Sequence, residues 1–210
     1  MLMEQIFNDG FWSISGAVVG AFLGALFGFI VSIFLDYRRS TKLEKCLYKE
    51  ADFVSSYMSS FLISVVNEND KLKINLNQGD SFSAPREINF DVFNILYLEL
   101  YKTKKIPTDD HRRFVHNVSY QWEQMFSLDK DRIERVGESA IYKINRGKCK
   151  DVIYILVGLL YYFDLFISKK GKFKFDENSD FRTMANLVFS KYQINNEDLI
   201  NIISNETAHW

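Results

Sequence analysis

The chain has 210 residues, 16% of them aromatic and only two of them proline, with a formal net charge of −1. That composition argues against a disordered chain, and the near-neutral balance argues against a dedicated nucleic-acid binder. Cys46 and Cys149 stand alone, without a CxxC pattern or a paired histidine, which suits a reducing compartment and offers no metal site.

The first predicted element is the stretch FWSISGAVVGAFLGALFGFIVSIFL, residues 11–35, which carries no charge over 25 residues. As a helix it would be about 37 Å long, enough to cross a bilayer with some tilt. A cleaved signal peptide needs basic residues before the apolar run. Here Glu4 and Asp9 come before it, and Arg38, Arg39 and Lys42 come after. A buried core helix of this length without a charge is also uncommon. The expectation is a single transmembrane helix at 11–35. Because all 26 Lys and Arg lie beyond residue 35, positive-inside logic places 36–210 in the cytoplasm. Residues 1–10 then form a short extracytoplasmic N-terminus of a protein of the inner or plasma membrane. Trp12 and Tyr37, with Arg38, Arg39 and Lys42, sit where interfacial residues belong.

Within this stretch Gly16, Gly20, Gly24 and Gly28 recur at every fourth position, and Ser32 continues the step. Ala17, Ala21 and Ala25 lie beside them. Steps of four residues make one slowly drifting face on a helix. A small, smooth face lets two backbones approach closely, which favours helix association in lipid. This glycine-zipper pattern predicts a homo-oligomer formed through the apolar helix.

The following segment, 36–66, reads as a juxtamembrane amphipathic helix. Leu43, Leu47, Ala51, Val54, Met58, Phe61 and Val65 are spaced close to a heptad seam. The seam could extend a membrane oligomer as a coiled coil. Phe53, Leu62, Ile63 and Val66 widen it, as for a helix packing on its own domain.

Residues 67–210 are expected to form a compact helical cytosolic domain with at most a small two-stranded β element. KLKINLN at 71–77 alternates like a strand, and KFKF at 172–175 is the candidate partner. Helices are expected over 89–104, from Thr108 as N-cap to about residue 127, from Ser179 to about 192, and from Asn196 through 203. The charged stretch 128–144 reads as helix interrupted near Gly137. The second apolar run, VIYILVGLLYYFDLFI at 152–167, contains Asp164 and is short for a span, so it reads as the central core helix. A second membrane segment is the alternative.

Chemistry is sparse. His111 and His116 are five apart, which does not put them on one helix face, and His209 is isolated. HExxH, GxSxG, Walker and GxGxxG patterns are absent. Acids 109 and 110 at a helix start are ordinary dipole compensation. Lys148 and Lys150 around Cys149 could lower its thiol pKa, but with no His near in sequence it reads as a lone structural cysteine. Cys46 is a plain thiol or an acylation site. Asp164 should pair with a Lys or Arg of another helix. The cluster of Lys169, Lys170, Lys172, Phe173, Lys174 and Phe175 reads as a solvated hairpin with its Phe side chains on the core. Contact with nucleic acid or anionic headgroups is the other option. No catalytic residue, metal or cofactor is assigned. The expected function is a self-associating, membrane-anchored, non-enzymatic protein whose cytosolic domain binds or senses a protein partner. A membrane-perturbing or pore-forming effector of toxin or phage-defence type is the alternative, and a membrane-tethered enzyme is third.

Overall fold

The computed structural model describes residues 2–103, 107–175 and 179–207, with side chains described between residues 18 and 206. Its longest element is helix α1 (Leu2–Asn69), 68 residues without a break. At 1.5 Å per residue it is about 100 Å long. No Pro interrupts it, and no Gly occurs in it after Gly28. It stops at Asn69, where the backbone N–H of Lys71 turns back to the Glu68 carbonyl.

Five shorter helices follow among the described residues: α2 (Asp91–Tyr101), α3 (Asp109–Asp129), α4 (Arg146–Lys169), α5 (Phe181–Lys191) and α6 (Glu197–Thr207). Thr108 caps α3, its hydroxyl accepting from the His111 N–H, and Asn145 caps α4 in the same way through Lys148 N–H. Strands β1 (Lys73–Asn75), β2 (Ile133–Arg135) and β3 (Ile141–Ile144) form one antiparallel sheet in the order β1-β3-β2.

Helix α4 is the centre of the core and packs on α1, α3 and α5. Its apolar residues surround it, so burial on several sides is the only arrangement that removes them from water. Cys149, Val152, Ile153, Leu156, Val157 and Phe163 are each fully buried. The run at 152–167 therefore lies inside the domain. Phe114 stacks on Phe166 at 4.7 Å between ring centroids, and Phe93 and Phe173 meet the same ring at 6.0 and 5.5 Å. The 36–66 helix and the rest of the domain share this core. Leu47, Ala51, Val54, Met58, Phe61 and Val65 are all buried in it, so the heptad-like seam is occupied by the chain's own α2 and α4.

Several expectations are corrected. The β element has three strands, and Lys172–Phe175 is not one of them; β1 pairs instead with β3. Residues 133–144 form a hairpin where the sequence reading placed helix. Gly137 adopts φ +61° in its turn, and Ile74 on the neighbouring strand supplies a buried partner that local periodicity does not reveal. Phe173 leaves a 3₁₀ turn at Lys170–Lys172 and enters the aromatic core. The cap of α5 is Asp180, whose carboxylate accepts from Thr183 N–H at 2.7 Å, while the Ser179 hydroxyl bonds the Tyr161 hydroxyl. Helix α2 starts at Asp91 and ends at Tyr101, shorter than the expected 89–104.

Candidate functional site in the exposed half of the first helix

From residue 18 to residue 39 every side chain of α1 is exposed. Phe22, Leu23, Leu26, Phe27, Phe29 and Ile30 lie on successive azimuths, at 100° per residue, and none finds a neighbour in the domain. An amphipathic helix waiting for a groove would expose one apolar face. This segment is apolar all round, far beyond the few hundred Å² of apolar patch that soluble monomers tolerate. The helix is long and apolar enough to cross a membrane.

The predicted packing residues lie within it. A Cβ built on Gly20, Gly24 or Gly28 would meet no atom within 4 Å beyond the backbone of its own helical turns and its chain neighbours. Nothing inside a single chain requires glycine there, although each helical glycine costs about 1 kcal/mol relative to alanine in water. Ala21, Ala25 and Ser32 are exposed beside them. Trp12, Gly16 and Ala17 lie outside the described side chains, and His209 lies outside the described residues.

The junction between the free half and the domain is polar. Tyr37, Arg38 and Lys42 are exposed; the Arg38 guanidinium sits 5.7 Å from the Phe34 ring. Arg39 donates to the Glu99 carboxylate at 2.9 Å, and Lys102 donates to the other oxygen of Glu99 at 2.7 Å. Ser40 is the first buried residue after the free half, and its hydroxyl returns to the Tyr37 carbonyl. The contact between Arg39 and Glu99 places the end of α2 at the start of the domain. Helix α4 is antiparallel to α1, because Tyr48 meets Phe166 near its end while Cys149 near its start adjoins the Arg132–Glu68 pair. The ends of α2 and α4 and the start of α3 therefore converge on one end of the domain. Glu44, Tyr48, Leu100, Thr108, His111 and Gly171 line a shared cavity there of about 310 Å³.

His111 ties this end together. Its Nε2–H donates to the Lys170 carbonyl at 2.9 Å, which fixes the tautomer and leaves Nδ1 to accept from the Thr108 hydroxyl at 2.5 Å. Burial lowers its pKa, against the opposing pull of the Lys170 carbonyl, so the ring is held neutral. Lys170 itself has φ +50°, and its carbonyl bond helps hold that unfavourable backbone. His116 is exposed on another face of α3 and joins no cluster with His111.

The opposite end of the domain holds a buried ion network that the sequence reading missed. Arg132, 1% exposed, donates to Glu68 on α1, to Asp129 at 2.6 Å and to the Ser83 carbonyl at 2.5 Å. The second oxygen of Glu68 accepts from Ser83 N–H at 2.7 Å, and the Arg132 guanidinium lies 5.6 Å from the Phe61 ring. Three segments distant in sequence are joined by one cation; no local pattern announces it. Cys149 beside this network is not an activated thiol. Burial pushes its pKa up to about 11, against the influence of Arg132, as for a structural thiol. Asp164 pairs with Lys191 and meets the Tyr192 hydroxyl at 3.4 Å, the expected structural pair, with its carboxyl raised by burial against the pull of Lys191.

An open cleft of about 1140 Å³ lies between the start of α2 and α3, with Phe90, Trp122 and Phe126 on its floor and Glu87, Asp91 and Glu123 on its rim. Its polar groups do not form a nucleophile–base pair. Among the described residues no three His, Cys, Asp or Glu side chains are placed to hold a metal ion. Compared with protein-family models, curated proteins and solved structures, the chain matches none.

Proposed function

We propose that this chain is a single-pass membrane protein that self-associates through the glycine face of α1 and carries a non-enzymatic, partner-binding domain on the cytoplasmic side. The observation that carries this reading is the division of one unbroken helix. Residues 18–35 are apolar and exposed all round, while the second half of the helix lies in the core of the domain. Lipid is the medium that removes the cost of the first half. The basic residues at 38, 39, 42 and 45, with none before residue 35, support the cytoplasmic orientation.

Self-association is supported by Gly20, Gly24 and Gly28, which no contact within the chain explains. Because α1 runs without a break into the core, helix contacts in lipid would set the spacing and orientation of the attached domains. The domain would then present its partner-binding surface at a geometry fixed by the oligomer.

The experiment is cysteine crosslinking of the full chain in membranes, with single Cys at positions 20, 24 or 26 in a Cys46→Ser background. Crosslinked dimers are expected at 20 and 24, and far fewer at 26. Equal crosslinking at all three positions, or release of the chain by alkaline carbonate, would overturn the reading. A permeability assay separates the pore-forming alternative: ion leakage that Gly24→Leu abolishes would favour a channel over a scaffold.

A further inference from the structure

We propose that the end of the domain facing the free half of α1 is a docking surface for anionic lipid headgroups. It is built by Lys42 and Lys45 of α1, Lys102 after α2, and Lys169, Lys170 and Lys172 at the end of α4. The inference rests on α1 crossing the bilayer and adds the lipid class that the domain contacts.

These residues come from three segments that the fold gathers at one level. Glu99, which accepts from Lys102, also accepts from Arg39, so Lys102 stands level with the first polar turn of α1. The Lys170 carbonyl is held by His111, and the adjacent Gly171 lines the cavity that also contains Glu44. All six lysines are exposed. The 3₁₀ turn sends Phe173 into the core and leaves Lys169, Lys170 and Lys172 outside.

The distance fits. Glu44 lies nine residues past Leu35, about 13 Å along the helix. The headgroup layer occupies about 5–7 Å of that interval on one side of the bilayer. The remaining gap is comparable to a Debye length of about 8 Å, and a lysine side chain spans most of it. Tilting of α1 would bring one edge closer still.

The charge is polarised in the same sense. Nine basic residues stand at this end: Arg38, Arg39 and Arg112 besides the six lysines. Against them are Asp36, Glu44, Glu99, Asp109 and Asp110. The local balance is +4, from nine and five, whereas the described residues from 36 onward, with 24 basic and 23 acidic, stand at +1; the remainder of the described residues is therefore −3. A single basic end on an otherwise slightly acidic domain, aimed at the bilayer, complements anionic headgroups. A nucleic acid would have to reach the same lysines in the narrow space between domain and membrane.

The test uses the full chain in vesicles of phosphatidylcholine, with or without phosphatidylserine. A dye on Ser168→Cys, in a Cys46→Ser background, reports energy transfer to a headgroup-labelled lipid. Transfer should rise on the anionic vesicles and fall back at high salt. Lys169→Gln, Lys170→Gln and Lys172→Gln together should lower the docked-to-undocked ratio by about fivefold for each lysine removed. Equal transfer on the two vesicle types, with the chain resisting carbonate extraction, would overturn this inference and leave the membrane reading intact. Release by carbonate would remove both. Binding of single-stranded RNA to the full chain in neutral detergent, lost in the triple variant and with no effect of vesicle charge, would assign the patch to nucleic acid instead.

Discussion

Leu26 and Leu62 lie on the same helix, 36 positions apart, and they meet opposite surroundings. Leu26 is 45% exposed among other exposed apolar side chains; Leu62 is fully buried between the helices of the domain. The backbone of α1 is continuous through both. What differs is the source of stabilisation. The inner half gains from packing against α2 and α4, and it tolerates polar residues such as Ser56 and Ser60 on its outer side. Residues 18–35 gain nothing from the domain, and the stretch 11–35 carries no charge to make water acceptable. One helix thus serves as a core element at one end and as an exposed apolar rod at the other, without a hinge between them.

The comparison is broken most severely at the inner end. Arg132→Met would leave Glu68, in the last turn of α1, and Asp129 buried without their cation. Urea unfolding of the full chain in detergent should show a loss of about 3–5 kcal/mol. Adding Glu68→Gln should restore part of it, whereas a loss unchanged by the second substitution would deny the coupling.

The pair named above supplies the next effect. Leu62→Ala should cost about 2–5 kcal/mol in the same assay, from lost burial and the cavity left behind. Leu26→Ala should change domain stability by no more than about 0.5 kcal/mol. Similar costs at the two positions would show that the outer half packs on the domain after all.

A smaller effect sharpens the junction. Because burial depresses the pKa of His111 in the folded state, the unfolded chain binds its proton first as pH falls. Stability from this group is therefore present above the unfolded pKa of about 6.5 and is lost as pH drops below it. Asp129 and Asp164, whose carboxyls are raised by burial, act with the opposite sign at lower pH. Unfolding midpoints between about pH 7.5 and 5.5 should fall in the native chain and fall less in His111→Gln. An equal fall in both would place the dependence elsewhere. The smallest effect is expected at the exposed bridge: Arg39→Ala should cost under about 1 kcal/mol, read from the same midpoints.

Much of the chain was legible in the sequence where the cause is local. The apolar stretch, the central helix at 152–167, the Thr108 cap and the pairing demand of Asp164 follow from composition, periodicity and capping over a few residues. The errors fall where the cause is distant. The stretch 128–144 carries enough charge to resemble a surface helix, but it becomes a hairpin because β1, about 70 residues earlier in the chain, offers an edge with Ile74 to bury. KFKF alternates like a strand, yet Phe173 has a better place among Phe114 and Phe166 than on any sheet.

By itself the sequence determined that a long uncharged helix precedes a mainly helical body, because an uninterrupted apolar run has few structural solutions. It also determined the glycine register, which belongs to the helix alone. Only the tertiary structure decided that the seam from Leu47 to Val65 is consumed by the chain's own core, since competition between inner and outer partners is settled by three-dimensional packing. The same holds for Arg132, whose charge is acceptable inside only because three separated segments deliver its acceptors. It holds equally for the lysines of α1, α2 and α4, which share one end of the domain because antiparallel packing brings those helix ends together.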